Sequence, residues 1–397
     1  MKYQVRFALF FGAMILFHLA ANFAHPVTPT IIHQLQLPDY MFGLMLAAMQ
    51  ISNFLFSPFW GRLNTYVSSR KTLLICCLGY AVAQLLFAFS RTQGGILAVR
   101  VLAGIFVGGI FVSFLTYVIN TARPEDQAKF LTYSATIQAV FGAFGYLVGG
   151  VLGEFSIRAT FLLQAAVLAM SGILFRIACQ PDHSVSERPP LGTLLKRSNP
   201  MKAFADGRHF MNAAFAMLFA VNILMNFGNT GFDQAFNYYL KDQLGLSSAY
   251  NGVIKAAVGL ISFIANMTLC MWIIRKTNVP KSATMTAGFC GIAALGTLLF
   301  PQIKPFILCS ALVYAGYSVS LPLLQHMAAQ QADPAQKNLV MGFYNATKSL
   351  GSILGSLAVG FLYSWHTRLP FLVVAVTYLA SLAAAAGYWM WGCRRKN

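Results

Sequence analysis

The chain has 397 residues, of which 57% are hydrophobic and 10% charged, and its 28 Lys and Arg against 10 Asp and Glu give a formal net charge of +18. An average soluble domain is about one-quarter charged, so this composition excludes water as the main solvent of the fold and leaves the bilayer. The positive excess follows the polar gaps between apolar runs rather than one surface, which excludes a nucleic-acid partner as its cause.

A helix spanning a hydrocarbon core needs roughly 20 apolar residues. The sequence predicts twelve such spans, at 7–29, 40–61, 72–90, 96–120, 130–153, 159–178, 210–240, 249–273, 283–300, 306–329, 339–363 and 370–392. Residues 101–122, 131–153, 209–232, 282–303, 305–332 and 369–393 contain no Asp, Glu, Lys or Arg. Barrel strands would be short and alternating, so the expected fold is an all-α membrane protein.

The first run follows Met1-Lys2-Tyr3-Gln4-Val5-Arg6, is long, and lacks a small-x-small cleavage site, so it reads as an uncleaved first helix. It places His18, Asn22 and His25 on one face. Helix 2 adds Gln50 and Asn53, and the link to helix 3 is rich in basic residues. Seven cysteines are scattered along the chain; Cys76 and Cys77 are adjacent rather than spaced for metal or redox chemistry, and read as packing residues.

Helix 4 carries Arg100, with no other charge between Arg91 and Arg123. Burying an arginine in a bilayer costs at least about 3 kcal/mol unless it meets water, an acid or carbonyls, so Arg100 implies a polar cavity or substrate path, the alternative being a side chain that snorkels to the surface. Gly104 and Gly108 follow at four-residue spacing. Helix 5 carries Gln138 and Gly142, Gly145, Gly149, Gly150 and Gly153, a pattern that lets a neighbouring helix approach closely.

Residues 179–209 hold Pro181, Pro189, Pro190 and Pro200 among Ser, Lys and Arg, and read as a cytoplasmic linker between a first half, 1–178, and a second, 210–397. Helix 7 carries Asn222, Asn226, Asn229 and Asp233 on one face. Unpaired polar groups are expensive in lipid, so this stripe and that of helix 1 face a cavity or a hydrogen-bonding helix. Asp233 is the acidic residue placed clearly within a predicted helix, which makes it the first candidate for protonation, with His18 second. Lys255 on helix 8, Gln325 and His326 on helix 10, and Lys348 deep in helix 11 complete the polar interior.

An offset of 210 residues aligns Ala122 with Ala332, Pro124 with Pro334, Gly145 with Gly355, Gly150 with Gly360, Arg158 with Arg368, Phe161 with Phe371 and Lys71 with Lys281. Two six-helix repeats suit alternating access. With both termini cytoplasmic, about 20 of the 28 basic residues fall inside, which fixes the orientation by the positive-inside rule.

Three local patterns resemble the major facilitator superfamily, and within it the twelve-helix drug:proton antiporters. The segment from Gly61 to Lys71 resembles the family's Gly-x-Leu-Ala-Asp-Arg-x-Gly-Arg-Lys motif at Gly61, Leu63, Arg70 and Lys71, with Thr65 and Ser68 in place of its Asp and second Gly. Arg100, Gly104 and Gly108 resemble its intramembrane arginine motif. Gly145-Tyr146 stands where the antiporter signature has Gly-Pro.

The resemblance implies an inner-membrane transporter that exchanges a proton for a small amphiphilic molecule, with Gly61, Arg70 and Lys71 in a cytoplasmic gating loop. Arg100, Asp233, Lys348, His18, Asn22, Asn222, Asn226, Asn229, Gln138 and Gln325 would line the substrate and proton path. Gly104, Gly108, Gly145, Gly149 and Gly355 would serve helix packing. The basic interior favours, as an alternative, import or exchange of an anionic metabolite or lipid; a sensor or scaffold that kept the fold is the reading outside transport. No phosphate-binding loop or metal helix occurs, so neither enzymatic activity nor a cofactor or metal is expected. The expected partners are the solute, the proton and the lipid bilayer, and the expected state is a monomer.

Overall fold

The structure is a computed structural model that describes residues 3–182, 192, 211–300, 302–332 and 337–394; almost all of the predicted linker lies outside them. The described residues contain no strand. The helices are α1 (Tyr3–Ala21), the short α2 (Thr28–Gln34), α3 (Met41–Tyr66), α4 (Ser69–Phe89), α5 (Gln93–Thr121), α6 (Pro124–Phe155) and α7 (Ile157–Ala178), then α8 (Ala213–Asp242), α9 (Ser248–Lys276), α10 (Val279–Leu299), α11 (Ile303–Gln331), α12 (Lys337–Trp365) and α13 (Leu369–Arg394). Eleven are long and apolar enough to cross a membrane, and α12 matches them in length while carrying Lys348, Asn345 and several Ser and Thr.

The repeat is written into the helix boundaries. At the 210-residue offset, Ser69–Phe89 becomes Val279–Leu299, Gln93–Thr121 becomes Ile303–Gln331, and the ends Tyr66 and Phe155 become Lys276 and Trp365. Local chemistry sets many of these boundaries. Thr92, Ser156, Asn212 and Asn278 each accept a hydrogen bond from a first-turn N–H, at 3.2, 3.2, 3.0 and 3.1 Å, which satisfies a donor the helix cannot. Pro124 opens α6, followed by Glu125 and Asp126 at the positive end of the helix dipole.

Two sequence expectations are corrected here. The run predicted as one span, 7–29, is broken: α1 ends at Ala21, and turns at His25 and Thr28 lead into α2. Pro26 has no N–H to continue the ladder, and its ring clashes with the preceding turn. The gating loop from Gly61 to Lys71 is mostly helix. Gly61 sits in α3 and Arg70 and Lys71 in α4, leaving Val67 and Ser68 between them, because a helix need not end where its apolar run ends.

The chain forms two compact units. One comprises residues 1–35, 48–209 and 247–256, the other 36–47, 210–246 and 257–397. In the first, α4 packs on α5 and α7, and α1 on α6 and α7, around a core that includes Phe10, Phe17, Phe114, Tyr117 and Phe175. In the second, α10 packs on α11 and α13, and α8 on α12 and α13, around Phe232, Phe236, Phe306 and Phe371. Apolar side chains such as Val82, Leu86, Ile173, Ile292 and Leu308 point outward from these bundles, as suits helices solvated by lipid.

Without a hydrophobic force between helices in lipid, small residues set how closely they approach. A Cβ on Gly145 or Gly149 of α6 would overlap the Leu19 or Phe23 carbonyl of α1, and one on Gly355 of α12 would overlap the Phe227 carbonyl of α8. The repeat-related residues Gly145 and Gly355 therefore seat the same helix pair in each unit.

Candidate functional site

In the first unit Arg100 is 7% exposed, and its guanidinium lies 4.3 Å over the Phe87 ring. It forms no ion pair among the described residues, and its Nε has no hydrogen-bond partner. Gly104, one turn on, lets the Met49 carbonyl and Ser52 of α3 approach α5, and Gly108 sits against Asn53 and Ser57 of the same helix. The arginine is thus not a snorkelling side chain; it is held inside the bundle.

The polar residues of α8 behave differently from one another. Asn222 (0% exposed) donates to the Tyr344 carbonyl and Thr347 hydroxyl at 2.9 and 3.0 Å. Asn226 donates to the backbone and side-chain oxygens of Asn222 and accepts from the Tyr317 hydroxyl at 2.7 Å. Both are satisfied inside the second unit, tying α8 to α11 and α12. Asn229, half-buried, makes no hydrogen bond among the described residues.

Asp233, two turns beyond Asn226, accepts a hydrogen bond from the Tyr314 hydroxyl at 2.9 Å, and Tyr317 and Tyr378 lie within the field of the same carboxylate. The other acids within described helices, Glu125, Asp126, Glu154 and Asp242, sit at helix ends. Lys348, on α12 beside Thr347, forms no hydrogen bond or ion pair among the described residues, and neither do Gln138 and Gln325.

The polar face of α1 divides. His18 is buried among Phe17, Phe111 and Phe114, and its carbonyl accepts from Asn22 at 2.8 Å. His25 instead stacks on Tyr146 at 5.3 Å, and the Lys255 ammonium lies 5.2 Å from the same ring. Tyr146, the residue that departs from the antiporter signature, is therefore the meeting point of two basic side chains.

At the other end of the first unit, Asp182 accepts hydrogen bonds from the Ser68 hydroxyl at 2.6 Å, the Ser69 N–H at 2.8 Å and the Ser69 hydroxyl. It thereby caps α4 from the far side of α7. Cys179, three residues earlier, is 2% exposed; burial pushes its thiol up to about 12, so it stays protonated and unreactive. Arg70 has its Nε buried without a partner, and Lys71 is exposed.

Sequence reasoning missed Tyr314, Tyr317 and Asp182. Tyrosine in a membrane helix reads as apolar bulk, and only the acid one turn away on another helix gives its hydroxyl a task. Asp182 is separated from Ser68 by more than a hundred residues, and nothing local in the sequence marks it as the cap of a distant helix.

A family model described as Major Facilitator Superfamily matches residues 10–313 and 280–396. The chain is 21% identical to multidrug resistance protein 2 of Bacillus subtilis over 90% of its length and 88% of that protein's. It is 24% identical to the class C tetracycline resistance protein of Escherichia coli over 97% of both. The crystal structure of the human organic anion transporter MFSD10 superposes with a TM-score of 0.76 at 17% identity, covering 97% of this chain and all of that one, and shows the same fold. With its all-helical repeat, buried intramembrane charges and family match over nearly the whole length, the chain belongs to the Major Facilitator Superfamily and is a multi-pass membrane transporter, not an enzyme.

Proposed function

We propose that the protein exports a small amphiphilic molecule across the inner membrane in exchange for protons, by alternating access, as a monomer with both termini cytoplasmic. The observation that carries this reading is Asp233, the one acidic residue away from a helix end in the described helices, held by a phenol. A hydroxyl suits a carboxylate that must be charged and neutral in turn, because it donates to the anion and accepts from the acid. The resistance proteins named above fit export of amphiphilic compounds. The basic residues concentrated in the predicted cytoplasmic loops support the orientation.

In this reading Asp233 takes up the proton and Tyr314 positions it. Arg100 and Lys348 set a positive interior potential, while Asn229, Gln138 and Gln325 offer polar groups to the solute. In proteoliposomes with an imposed pH gradient, Asp233→Asn is expected to abolish gradient-driven accumulation while leaving solute exchange at equal pH. Gradient-driven transport at the wild-type rate by this variant would refute the assignment.

A second reading, import or exchange of an anionic metabolite or lipid, rests on Arg100 and Lys348 having no acidic partner among the described residues. It predicts accumulation driven by an internal anionic counter-solute without a pH gradient.

A further inference from the structure

Three buried polar side chains of the first unit gather around Phe87. The Phe87 ring stacks on Phe161 of α7 at 4.8 Å and carries the Arg100 guanidinium at 4.3 Å. Gln84 precedes Phe87 by three residues on α4, and Gln164 follows Phe161 by three on α7. The two helices run in opposite directions, so both glutamines lie on the stacked faces about 4.5 Å further in. Gln84 is 1% and Gln164 0% exposed. Gln164 donates to the Ala21 carbonyl at 3.3 Å, which fixes its amide and leaves Oε1 over.

Four atoms of this cluster are buried without a hydrogen-bond partner: Arg100 Nε, both amide atoms of Gln84, and Gln164 Oε1. The Tyr80 hydroxyl comes near Gln84 and Arg100 without meeting hydrogen-bond geometry. Each unmade buried bond costs about 1–3 kcal/mol, and an uncompensated buried charge several more. Cation–π stacking on Phe87 returns only about 0.5–2 kcal/mol. Water would satisfy the amides, but it cannot neutralise the guanidinium, and α1, α4, α5 and α7 contain no Asp or Glu.

We propose that Arg100, Gln84 and Gln164 form an internal site for a small monovalent anion, bound by the guanidinium and the Gln84 amide N–H, with water bridging to the two amide oxygens. Arg100 lies seven residues into α5, about 10 Å from its start. The nearby helix ends carry exposed Arg91 and Arg158, the latter 5.5 Å over Phe89. The acid at this end, Glu154, is exposed and engaged by the Ala249 N–H at 3.1 Å. This end of the unit is therefore positive, which draws anions toward it. The anion is a free halide or the anionic group of a transported solute; both present the same charge to Arg100.

The test is equilibrium binding of radiolabelled chloride to the purified full-length protein in a gluconate background. Wild type is expected to bind chloride saturably at one site, and Gln84→Leu with Gln164→Leu to weaken it about tenfold or more, the equivalent of one lost hydrogen bond to a charged group. Arg100→Met is expected to abolish binding. Displacement of chloride by benzoate assigns the site to a solute's carboxylate, and no displacement assigns it to a resident halide; either upholds the site. No saturable binding by wild type, or unchanged affinity in the glutamine variant, which keeps the charge and tests the site even where Arg100→Met does not fold, overturns it. Asp233→Asn is expected to bind chloride like wild type, so failure of the proton assignment and failure of this site are separable.

Discussion

The two units are built on one template and filled with opposite chemistry. The second-unit counterparts of Gln84, Arg100 and Gln164 are Ala294, Ser310 and Val374, and Ser310 returns its hydroxyl to the Phe306 carbonyl of its own helix at 2.7 Å. What is a cationic, unsatisfied cluster in one unit is closed apolar packing around Phe306 and Phe371 in the other. Conversely, Asp233, Tyr314, Tyr317 and Tyr378 replace Phe23, Gly104, Val107 and Leu168 of the first unit. A repeat fixes where helices run and pack; it leaves each bundle free to specialise, because one side chain changes local electrostatics without moving a helix.

The largest effect tests the shared template. Gly145→Val and Gly355→Val each force a side chain into a neighbouring backbone, and each is expected to cost about 3 kcal/mol or more, read as loss of monodisperse protein; Gly12→Val, which meets nothing, is the control. Unequal loss in the two would show that the units do not rely on this glycine packing alike. Next, Arg100→Met with Gln84→Leu and Gln164→Leu gives the first unit the apolar filling of the second. In an anion-free buffer it is expected to raise stability by about 1–4 kcal/mol, measured as thermal unfolding in detergent, because replacing all members of an unsatisfied buried cluster removes its desolvation cost. A fall in stability would mean the polar atoms are already satisfied.

The helix starts sharpen the contrast further. α4 is capped by the remote Asp182, whereas its repeat partner α10 is capped by its own Asn278, the counterpart of Ser68. Asp182→Ala is expected to cost about 2 kcal/mol, since it leaves two buried serines and an N–H unmatched. Asn278→Ala, at an exposed end, is expected to cost about 1 kcal/mol, and both are measurable by thermal unfolding in the same detergent. Equal costs would show that the remote cap serves no more than a local one.

Much of this was legible in order. The helices, the 210-residue repeat, Arg100 as an interior cation and Asp233 as the interior acid all follow from hydropathy, spacing and the rarity of charge in apolar runs. Pro26 shows how a single residue overrides hydropathy: the run around it is apolar enough to span, yet the backbone breaks there. Asn222 and Asn226 show the converse, since their polarity was read correctly but their partners, Thr347 and Tyr317, lie on helices about 90 to 125 residues away.

By itself the sequence determined where the long membrane helices run and that they repeat, because lipid forces every backbone group into an intrahelical bond and every span to at least about the hydrocarbon thickness. Only the tertiary structure decided which polar groups are matched. Satisfaction is a property of pairs, and whether Gln84 faces a partner or Asp233 a phenol depends on which helices the close-packed glycines bring together.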